Sequence, residues 1–257
     1  MQKKSTSIFD RWVSFLTIIG LLVVWQLAGE LGWLPKFILP TPLQILQAFV
    51  RNSDQLMFHT KVTLLEAVVG LSYGVVIACL LTLVMDAFPL FHKAIYPLLV
   101  ITQTVPTIAL APILVLWLGY GMAPKIVLIV LTTTFPIVVA ILDGFRQADE
   151  DTIQLLRLMN ASKWQILWHV KIPTSLSYFY AGLRVSVSYA FIAAVVSEWL
   201  GGFEGLGVYM IRTKKLFQYD TMFAIILLTS LVSLGSMQLV KWSEKYLMKW
   251  KYIGEKK

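Results

Sequence analysis

The sequence predicts an all-α integral membrane protein with six transmembrane helices and one polar helix–turn–helix loop. Of its 257 residues, 58% are hydrophobic and only 14% are charged, and the mean hydropathy is +0.73. Soluble domains are nearer half apolar and a quarter charged. Six largely uncharged runs are long enough to cross a bilayer, which takes about 20 apolar residues in a helix. The single cysteine, Cys79, lies in one of these runs, so no disulfide framework is predicted.

The six candidate spans follow one another along the whole chain. They lie at Trp12–Gly29, Ala67–Met85, Ala94–Pro124, Ile126–Leu142, Ile172–Ser197 and Thr221–Val240. The first follows Lys3, Lys4 and Arg11 as a signal peptide would, but it is long for one and has no clear cleavage site, so we expect it to be retained. The third is the longest because it also holds the turn Gly119–Gly121. After the first span, the amphipathic spacing of Leu43–Val50 predicts a short interfacial helix.

The distribution of lysine and arginine predicts the orientation of these spans. With both termini in the cytoplasm, the inner segments hold fourteen basic residues, six of them in the C-terminal tail, and the outer segments hold seven. Basic residues favour the cytoplasmic side, so this bias places the polar loop Asp149–Pro173 there. The basic residues sit at segment ends and form no aromatic-interleaved patch, so we expect the net charge of +8 to reflect topology and not a nucleic-acid partner.

The loop Asp149–Pro173 carries signals for two short helices joined by a tight turn. Asp149 and Asp151 are candidate N-caps for the first helix. Asn160 follows that helix, and asparagine tolerates the left-handed conformation that ends many helices. Ser162 and Gln165 match a capping box, which predicts the start of the second helix.

The second helix of the loop has an apolar side. Helical spacing puts Trp164, Leu167 and Trp168 on one face, and Pro173 suits the start of the next membrane helix. Two interpretations fit these residues alone: a hairpin lying on the bilayer with its tryptophans in the headgroup layer, or a docking element for a soluble partner.

A resemblance to a known family favours docking. The loop resembles the EAA loop of ABC-transporter permeases, in which EAA is followed by three residues, Gly, nine residues and I-x-L-P. Gln154, Leu155 and Leu156 take the EAA positions, Asn160 takes the Gly position, and Val170–Pro173 take the last. Four further segments resemble the nitrate, sulfonate and taurine branch of these importers, which includes vitamin-precursor permeases: FILPTPLQIL (Phe37–Leu46), PTIALAPILVLWLGYG (Pro106–Gly121), AGLRVSV (Ala181–Val187) and EWLGGFEGLG (Glu198–Gly207).

The resemblance implies the type I importer permease architecture, with residues 1–257 as one transmembrane permease domain and residues 144–175 as its cytoplasmic coupling loop. It implies that the following residues contact an ATPase: Gln154, Leu155, Leu156, Asn160, Ser162, Trp164, Leu167, Trp168 and Pro173. Gln154 lacks the family's carboxylate, and Leu155 and Leu156 are larger than its alanines. We therefore expect an altered partner interface and not a lost one.

The implied function is that of the membrane subunit of an ABC importer in a prokaryotic cytoplasmic membrane, multi-pass with both termini inside. The implied partners are two cytoplasmic ABC ATPases, an extracytoplasmic solute-binding protein and a second permease chain, as a homodimer, in the lipid bilayer. The implied solute is a sulfonate, taurine, nitrate, or a vitamin precursor of pyrimidine or flavin type.

The chain itself is predicted not to be an enzyme and to bind no cofactor. It contains no phosphate-binding motif of the GxxxxGK[ST] type, so ATP and Mg must be bound by the partner ATPase. His59, His92 and His169 fall in three different connections, which predicts no metal site. The alternative, an ion-coupled secondary transporter, would need mid-membrane carboxylates and repeated halves, and neither is recognisable.

Four polar residues within the spans are candidates for lining the solute pathway. Arg184 either meets an anionic solute or forms a structural ion pair, because a charge within the bilayer needs a partner. Gln103 and Thr104 precede Pro106, where they either face a cavity or bond carbonyls freed by the proline. Ser188 has the same two interpretations.

Four acidic residues mark the ends of the spans. Glu66 and Glu198 lie near the predicted outer ends, where we expect them to reach water. Asp86 and Asp143 lie at the predicted inner ends.

Overall fold

A computed structural model describes residues 8–33 and 38–249. Lys3, Lys4, Lys36, Phe37 and the end of the basic tail lie outside the described residues. In the described part the chain forms eleven α-helices and one π-helical turn: α1 (Ile8–Glu30), α2 (Pro42–Arg51), α3 (Ser53–Ala87), α4 (Pro89–Thr104), α5 (Thr107–Leu118), α6 (Met122–Arg146), α7 (Glu150–Leu158), α8 (Lys163–Ile166), the π turn (Leu167–Lys171), α9 (Ile172–Gly201), α10 (Leu206–Lys215) and α11 (Tyr219–Leu247).

Four of the described helical segments are long and apolar enough to cross a membrane. They are α3, α6, the continuous segment Lys163–Gly201, and α11. The pair α4 and α5 would make a fifth if counted together, and α1 contributes the shorter apolar stretch Phe15–Glu30.

The third predicted span is broken in its middle, which the sequence prediction of one helix and a terminal turn missed. The axes of α4 and α5 differ by 103°. The break falls at Val105 and Pro106, and Val105 is extended, with φ −81° and ψ 123°. Proline lacks an N–H and disfavours helical backbone at the residue before it, so the helix ends there.

The chain divides into two compact units. The first comprises Met1–Phe58 and Tyr209–Leu228. Its α2 starts at the predicted place with a capping box between Thr41 and Gln44, and its buried core joins Ile45 and Ala48 to Ala224. In the same unit, Arg51 pairs with Asp220 at 2.8 Å.

The second unit comprises His59–Val208 and Thr229–Lys257, and its centre is the pair α6 and α9. These helices approach closely because small residues lie between them. A Cβ added to Gly182 would sit 2.7 Å from the Ala140 Cβ, and one added to Gly144 would sit 2.6 Å from the Ser175 Cα. Close backbone approach through glycine is typical of helix pairs in membranes, where packing and not the hydrophobic effect holds them together.

Candidate functional site: an apolar hairpin and a buried polar network

The predicted loop is a helix–turn–helix hairpin, and its first helix begins as the sequence indicates. Asp149 is the N-cap of α7, and its carboxylate accepts hydrogen bonds from the Thr152 hydroxyl and, at 3.2 Å, from the Thr152 backbone N–H. These two bonds lower the pKa of the Asp149 carboxyl. The cap satisfies an N–H that the first helical turn leaves open.

The turn of the hairpin depends on Asn160. Its φ is +59°, in the left-handed region that the sequence predicted. The Asn160 N–H bonds to the Arg157 carbonyl at 3.0 Å, and the Ala161 N–H bonds to the Leu156 carbonyl at 2.9 Å. This pair of bonds is the Schellman motif, which closes the free carbonyls at a helix end.

The second helix starts with the predicted capping box and then changes pitch. The Gln165 N–H bonds to the Ser162 hydroxyl at 3.2 Å, and the Ser162 N–H bonds to the Gln165 side chain at 2.7 Å. From Leu167 the backbone is π-helical, and the Ile172 N–H reaches the Leu167 carbonyl, five residues back. The wider turn ends at Lys171, two residues before Pro173, which has no N–H to continue a regular hydrogen-bond ladder.

The outer surface of the hairpin is apolar and exposed. Leu158 is 82% exposed, Trp164 61% and Trp168 52%, and the two tryptophan rings meet edge to face with their centroids 5.8 Å apart. Leu155 and Met159 are also exposed. A cluster of large apolar side chains on a polar connection marks a site that another surface covers.

Leu167 does not share this exposed face, so the predicted alignment with the tryptophans is wrong. Its side chain is buried and packs with Phe145, Ile141 and Leu142 of α6. The widened turn that begins at Leu167 rotates the following residues away from the spacing of an ordinary helix. Of the other predicted contact residues, Gln154, Ser162 and Pro173 are exposed and Leu156 is half-buried.

A buried polar network lies elsewhere in the second unit, where the sequence predicted only water-exposed carboxylates. Glu66 of α3 and Lys125 of α6 pair at 2.6 Å, and each side chain is 5% exposed. Glu198 of α9 is 1% exposed and accepts a hydrogen bond from the Thr63 hydroxyl at 2.6 Å. The expectation that Glu66 and Glu198 reach water is therefore wrong. Packing of α3, α6 and α9 encloses both carboxylates, which then need partners inside the protein.

The start of α10 is bonded to this network. The Gly207 N–H donates to the Glu198 carboxylate at 2.5 Å, and the Leu206 N–H donates to the Thr63 hydroxyl at 2.8 Å. The Gly205 N–H donates to Nδ1 of His59 at 3.1 Å, which makes that nitrogen the acceptor. The network thus satisfies the open N–H groups at the beginning of a helix.

The glycines of the EWLGGFEGLG segment explain how the chain fits around Glu198. Gly205 has φ +121°, and a Cβ there would collide with the Glu198 carboxylate. A Cβ on Gly207 would sit 2.5 Å from the Val195 carbonyl oxygen and 2.9 Å from Glu198 Oε2. The only sign of this packing in the sequence is the spacing of Gly205 and Gly207 after Glu198. That spacing can be interpreted only once the fold has brought Thr63 and Glu198 together.

Comparison with known proteins identifies the family of the chain. Residues 70–249 match the model of the binding-protein-dependent transport system inner membrane component. The chain belongs to this family of ABC-importer permeases. It is 41% identical to a probable ABC transporter permease protein of Haemophilus influenzae, over 85% of this chain and 90% of that one. It is 37% identical to the formylaminopyrimidine transport permease protein of Halalkalibacterium halodurans, over 92% of this chain and 94% of that one.

A solved structure has the same fold. The crystal structure of an amino acid ABC transporter with histidines matches with a TM-score of 0.65 over 78% of this chain and 97% of that chain, at 14% identity. The riboflavin transport system permease protein of Chloroflexus aurantiacus is 30% identical over 91% of this chain and 88% of that one.

Two of the permease's candidate pathway residues lie at the break between α4 and α5. Gln103 is exposed, and its Nε2 donates to the Leu131 carbonyl at 3.3 Å. The Thr104 hydroxyl donates to the Ile101 carbonyl at 2.8 Å. The Thr104 bond lies in the last turn before Pro106 and fits the interpretation in which a hydroxyl bonds a carbonyl near the proline, whereas the Gln103 bond joins α4 to α6.

The other two candidates lie on α9 and face α11. Arg184 forms an ion pair with Glu244, whose side chain is 8% exposed, which fits the structural interpretation of this arginine. Ser188 donates to the Met237 sulfur at 3.2 Å and borders a cavity of about 480 Å³. Apolar side chains line most of this cavity (Phe191, Ile192, Val195, Val196, Trp199, Leu234 and Met237), together with four hydroxyls (Ser188, Thr229, Ser230 and Ser233).

Metal binding has no candidate site in the described part of the permease. Residues 8–33 and 38–249 contain no group of three or more His, Cys, Asp or Glu side chains placed to hold an ion.

Proposed function

We propose that the hairpin Asp149–Pro173 docks into a groove on a cytoplasmic ABC ATPase and couples ATP hydrolysis to solute import. The single observation that carries this proposal is the exposed apolar surface of Leu155, Leu158, Trp164 and Trp168 on a doubly capped, well-defined turn. Aromatic and aliphatic side chains that project from a rigid turn are typical anchors of protein interfaces.

The proposed topology has six spans with both termini in the cytoplasm. α1 and the bent pair α4–α5 join the four long segments to make this number. Glu66 and Asp86 are twenty residues apart in α3, about 30 Å along a helix, which is about the thickness of the hydrocarbon core. The buried network and the base of the hairpin would then lie at opposite membrane faces, with the hairpin inside.

In the assembly, two copies of this chain would form the translocation pathway. Each would carry one ATPase on its hairpin, and a solute-binding protein would deliver the solute from outside. The ATPase would hold ATP and Mg. Closure of the two ATPases would displace the hairpins and switch the pathway between outward and inward access.

The proposed solute is a vitamin precursor of pyrimidine or flavin type. The relatives named for formylaminopyrimidine and riboflavin are 37% and 30% identical to this chain. Those named for aliphatic sulfonates and taurine are 25% to 27% identical. The cavity beside Ser188 is lined mostly by apolar side chains with four hydroxyls, and its described lining includes no charged side chain, which suits a neutral ring compound better than an anion.

Purification of the complex tests the coupling proposal. A tagged permease should retain an ATPase, and ATP hydrolysis should rise when the solute-loaded binding protein is added. Uptake by the lone chain in proteoliposomes, driven by an ion gradient, would instead support the secondary transporter.

The solute class needs a separate test. Thermal-shift screening of the cognate binding protein should give its largest shift with a pyrimidine or flavin compound. A larger shift with taurine, an alkyl sulfonate or nitrate would overturn the assignment of the solute and leave the coupling proposal intact.

A further inference from the structure

The base of the hairpin is fixed to α3 by an ion pair. Lys171, the last residue of the π turn, places its Nζ 2.5 Å from Oδ1 of Asp86, next to the end of α3. The same Nζ lies 5.7 Å from the centre of the Phe145 ring in α6. Both members of the pair are mostly buried, with side chains 25% and 22% exposed. This ion pair joins the hairpin to a helix that is distant in sequence.

α3 carries a second attachment about 30 Å away, because Glu66 precedes Asp86 by twenty residues in one helix. There Glu66 binds Lys125 at 2.6 Å, and Thr63 binds both Glu198 and the Leu206 N–H that starts α10. One helix therefore contacts the hairpin base near one end of its membrane-spanning part and the Gly202–Gly207 segment near the other.

Close packing along the middle of α3 gives little room for independent bending. A Cβ added to Gly70 would lie 2.6 Å from Ile129 Cγ2, and one added to Gly74 would collide with the Thr133 hydroxyl. Ala78, one turn further on, is fully buried. A packed helix that holds discrete polar contacts at both ends moves as one body, because packed interiors deform little.

We propose that the Lys171–Asp86 ion pair transmits movement of the hairpin to α3, which displaces the Gly202–Gly207 segment at the other end of the helix. Asp86 and Lys171 are thus positioning residues: they leave the ATPase docking surface unchanged and add a route through α3 beside the continuous segment Lys163–Gly201. This inference rests on the proposed coupling function and adds the route by which the coupling travels. An allosteric route is supported only by a measurement of coupling, and substitutions in this ion pair allow that measurement.

The test compares Asp86→Asn, Lys171→Asp and the charge-swapped double variant Asp86→Lys with Lys171→Asp. The measured quantity is solute taken up per ATP hydrolysed by the complete complex, with the binding protein, in proteoliposomes. Each single variant should retain its ATPase and hydrolyse ATP, but solute per ATP should fall at least about fivefold, the lower range of allosteric coupling. The double variant should recover most of the loss.

The matched control is the ion pair Asp143–Arg146. It is exposed, spans 3.4 Å and lies within α6 alone. Asp143→Asn should leave solute per ATP unchanged. Unchanged solute per ATP in Asp86→Asn, or no recovery in the swapped variant, overturns the inference while the coupling function stands. A wild-type permease that retains no ATPase overturns both.

A labelling experiment keeps the inference testable if the swapped variant does not fold. In a Cys79→Ser background, Phe203→Cys puts a thiol at an exposed position within the Gly202–Gly207 segment. Its maleimide labelling rate should change when the complex is trapped with ATP, and Asp86→Asn should reduce that change. A nucleotide response of equal size with and without Asp86→Asn contradicts the proposed route.

Discussion

The hairpin and the buried network differ in which side chains they expose: the hairpin exposes apolar ones, whereas the network encloses charged ones. The hairpin is a polar connection that exposes Leu158, Trp164 and Trp168, where soluble loops keep such side chains covered. The network buries Glu66, Lys125 and Glu198, where membrane helices rarely keep charge. Each carboxylate of the network has at least one partner within the second unit, although Oε2 of Glu66 is buried without a hydrogen bond. The apolar side chains on the hairpin surface stay exposed in the described chain, and the proposed function assigns an ATPase to cover them.

Substitutions in the two regions should therefore affect different properties of the protein. A change in the network leaves a buried group without its partner and should affect folding before transport. A change on the hairpin surface removes contact area that the isolated chain does not use, so it should affect assembly and leave folding intact.

The largest expected effect comes from the network. Lys125→Met leaves the Glu66 carboxylate buried without its cation, which costs about 3–5 kcal/mol when one partner of a buried pair is removed. The thermal midpoint of the purified permease in detergent should fall sharply. The double variant Glu66→Gln with Lys125→Met should regain most of the lost stability, because it buries no lone charge. If Lys125→Met alone has the thermal midpoint of the wild type, the Glu66–Lys125 pair is not needed for stability.

The next largest effect should appear on the hairpin surface and only in assembly. Replacing Trp164 and Trp168 with alanine should weaken ATPase binding by about 2–4 kcal/mol, the range for aromatic interface anchors. The thermal midpoint of the isolated permease should stay unchanged. A titration of purified ATPase, followed by light scattering or pull-down, measures the affinity. Trp117→Ala is the control, since Trp117 is 74% exposed but lies on α5.

A smaller effect should follow from the turn. Asn160→Val places a β-branched residue at φ +59°, which costs about 1–3 kcal/mol of local strain and should disorder the hairpin. ATP hydrolysis should then become uncoupled from uptake. Asn160→Gly accepts the same backbone and should preserve coupling. Equal coupling in the two variants would mean that the left-handed turn is dispensable.

The smallest effect should come from Gln154, which is exposed on α7. Gln154→Glu restores the carboxylate of the family pattern near the middle of a short helix. An exposed charge is worth about 1 kcal/mol or less, so ATPase affinity should change by less than about tenfold. A larger loss would indicate that the partner's groove is acidic at this position.

Short-range sequence patterns predicted the helices and the turn of the hairpin, but they did not predict the buried network. The left-handed Asn160 and the Ser162–Gln165 box depend on residues within one turn, so the sequence alone predicts them. The sequence offered Asp149 and Asp151 as N-caps, and the structure uses Asp149. The burial of Leu167 depends on a π turn, which no pattern of residues in the sequence predicted.

The network depends on contacts between residues far apart in the chain. Thr63 and Glu198 are 135 positions apart and meet only after the membrane helices pack. From the sequence, a glutamate near the end of a span looks like a residue that reaches water. Gly205 and Gly207 can be recognised in the sequence. Their spacing does not show that they make room for the carboxylate of Glu198.

The central claim, that the hairpin surface is covered by an ATPase, is tested most directly by site-specific photo-crosslinking. Leu158 on the hairpin and Leu116 on α5 are both 82% exposed, so they form a matched pair. A photoreactive residue at position 158 should crosslink to the ATP-hydrolysing subunit in the assembled complex, and one at position 116 should not. Crosslinking to the ATPase from 116, or only to lipid from 158, would contradict the account.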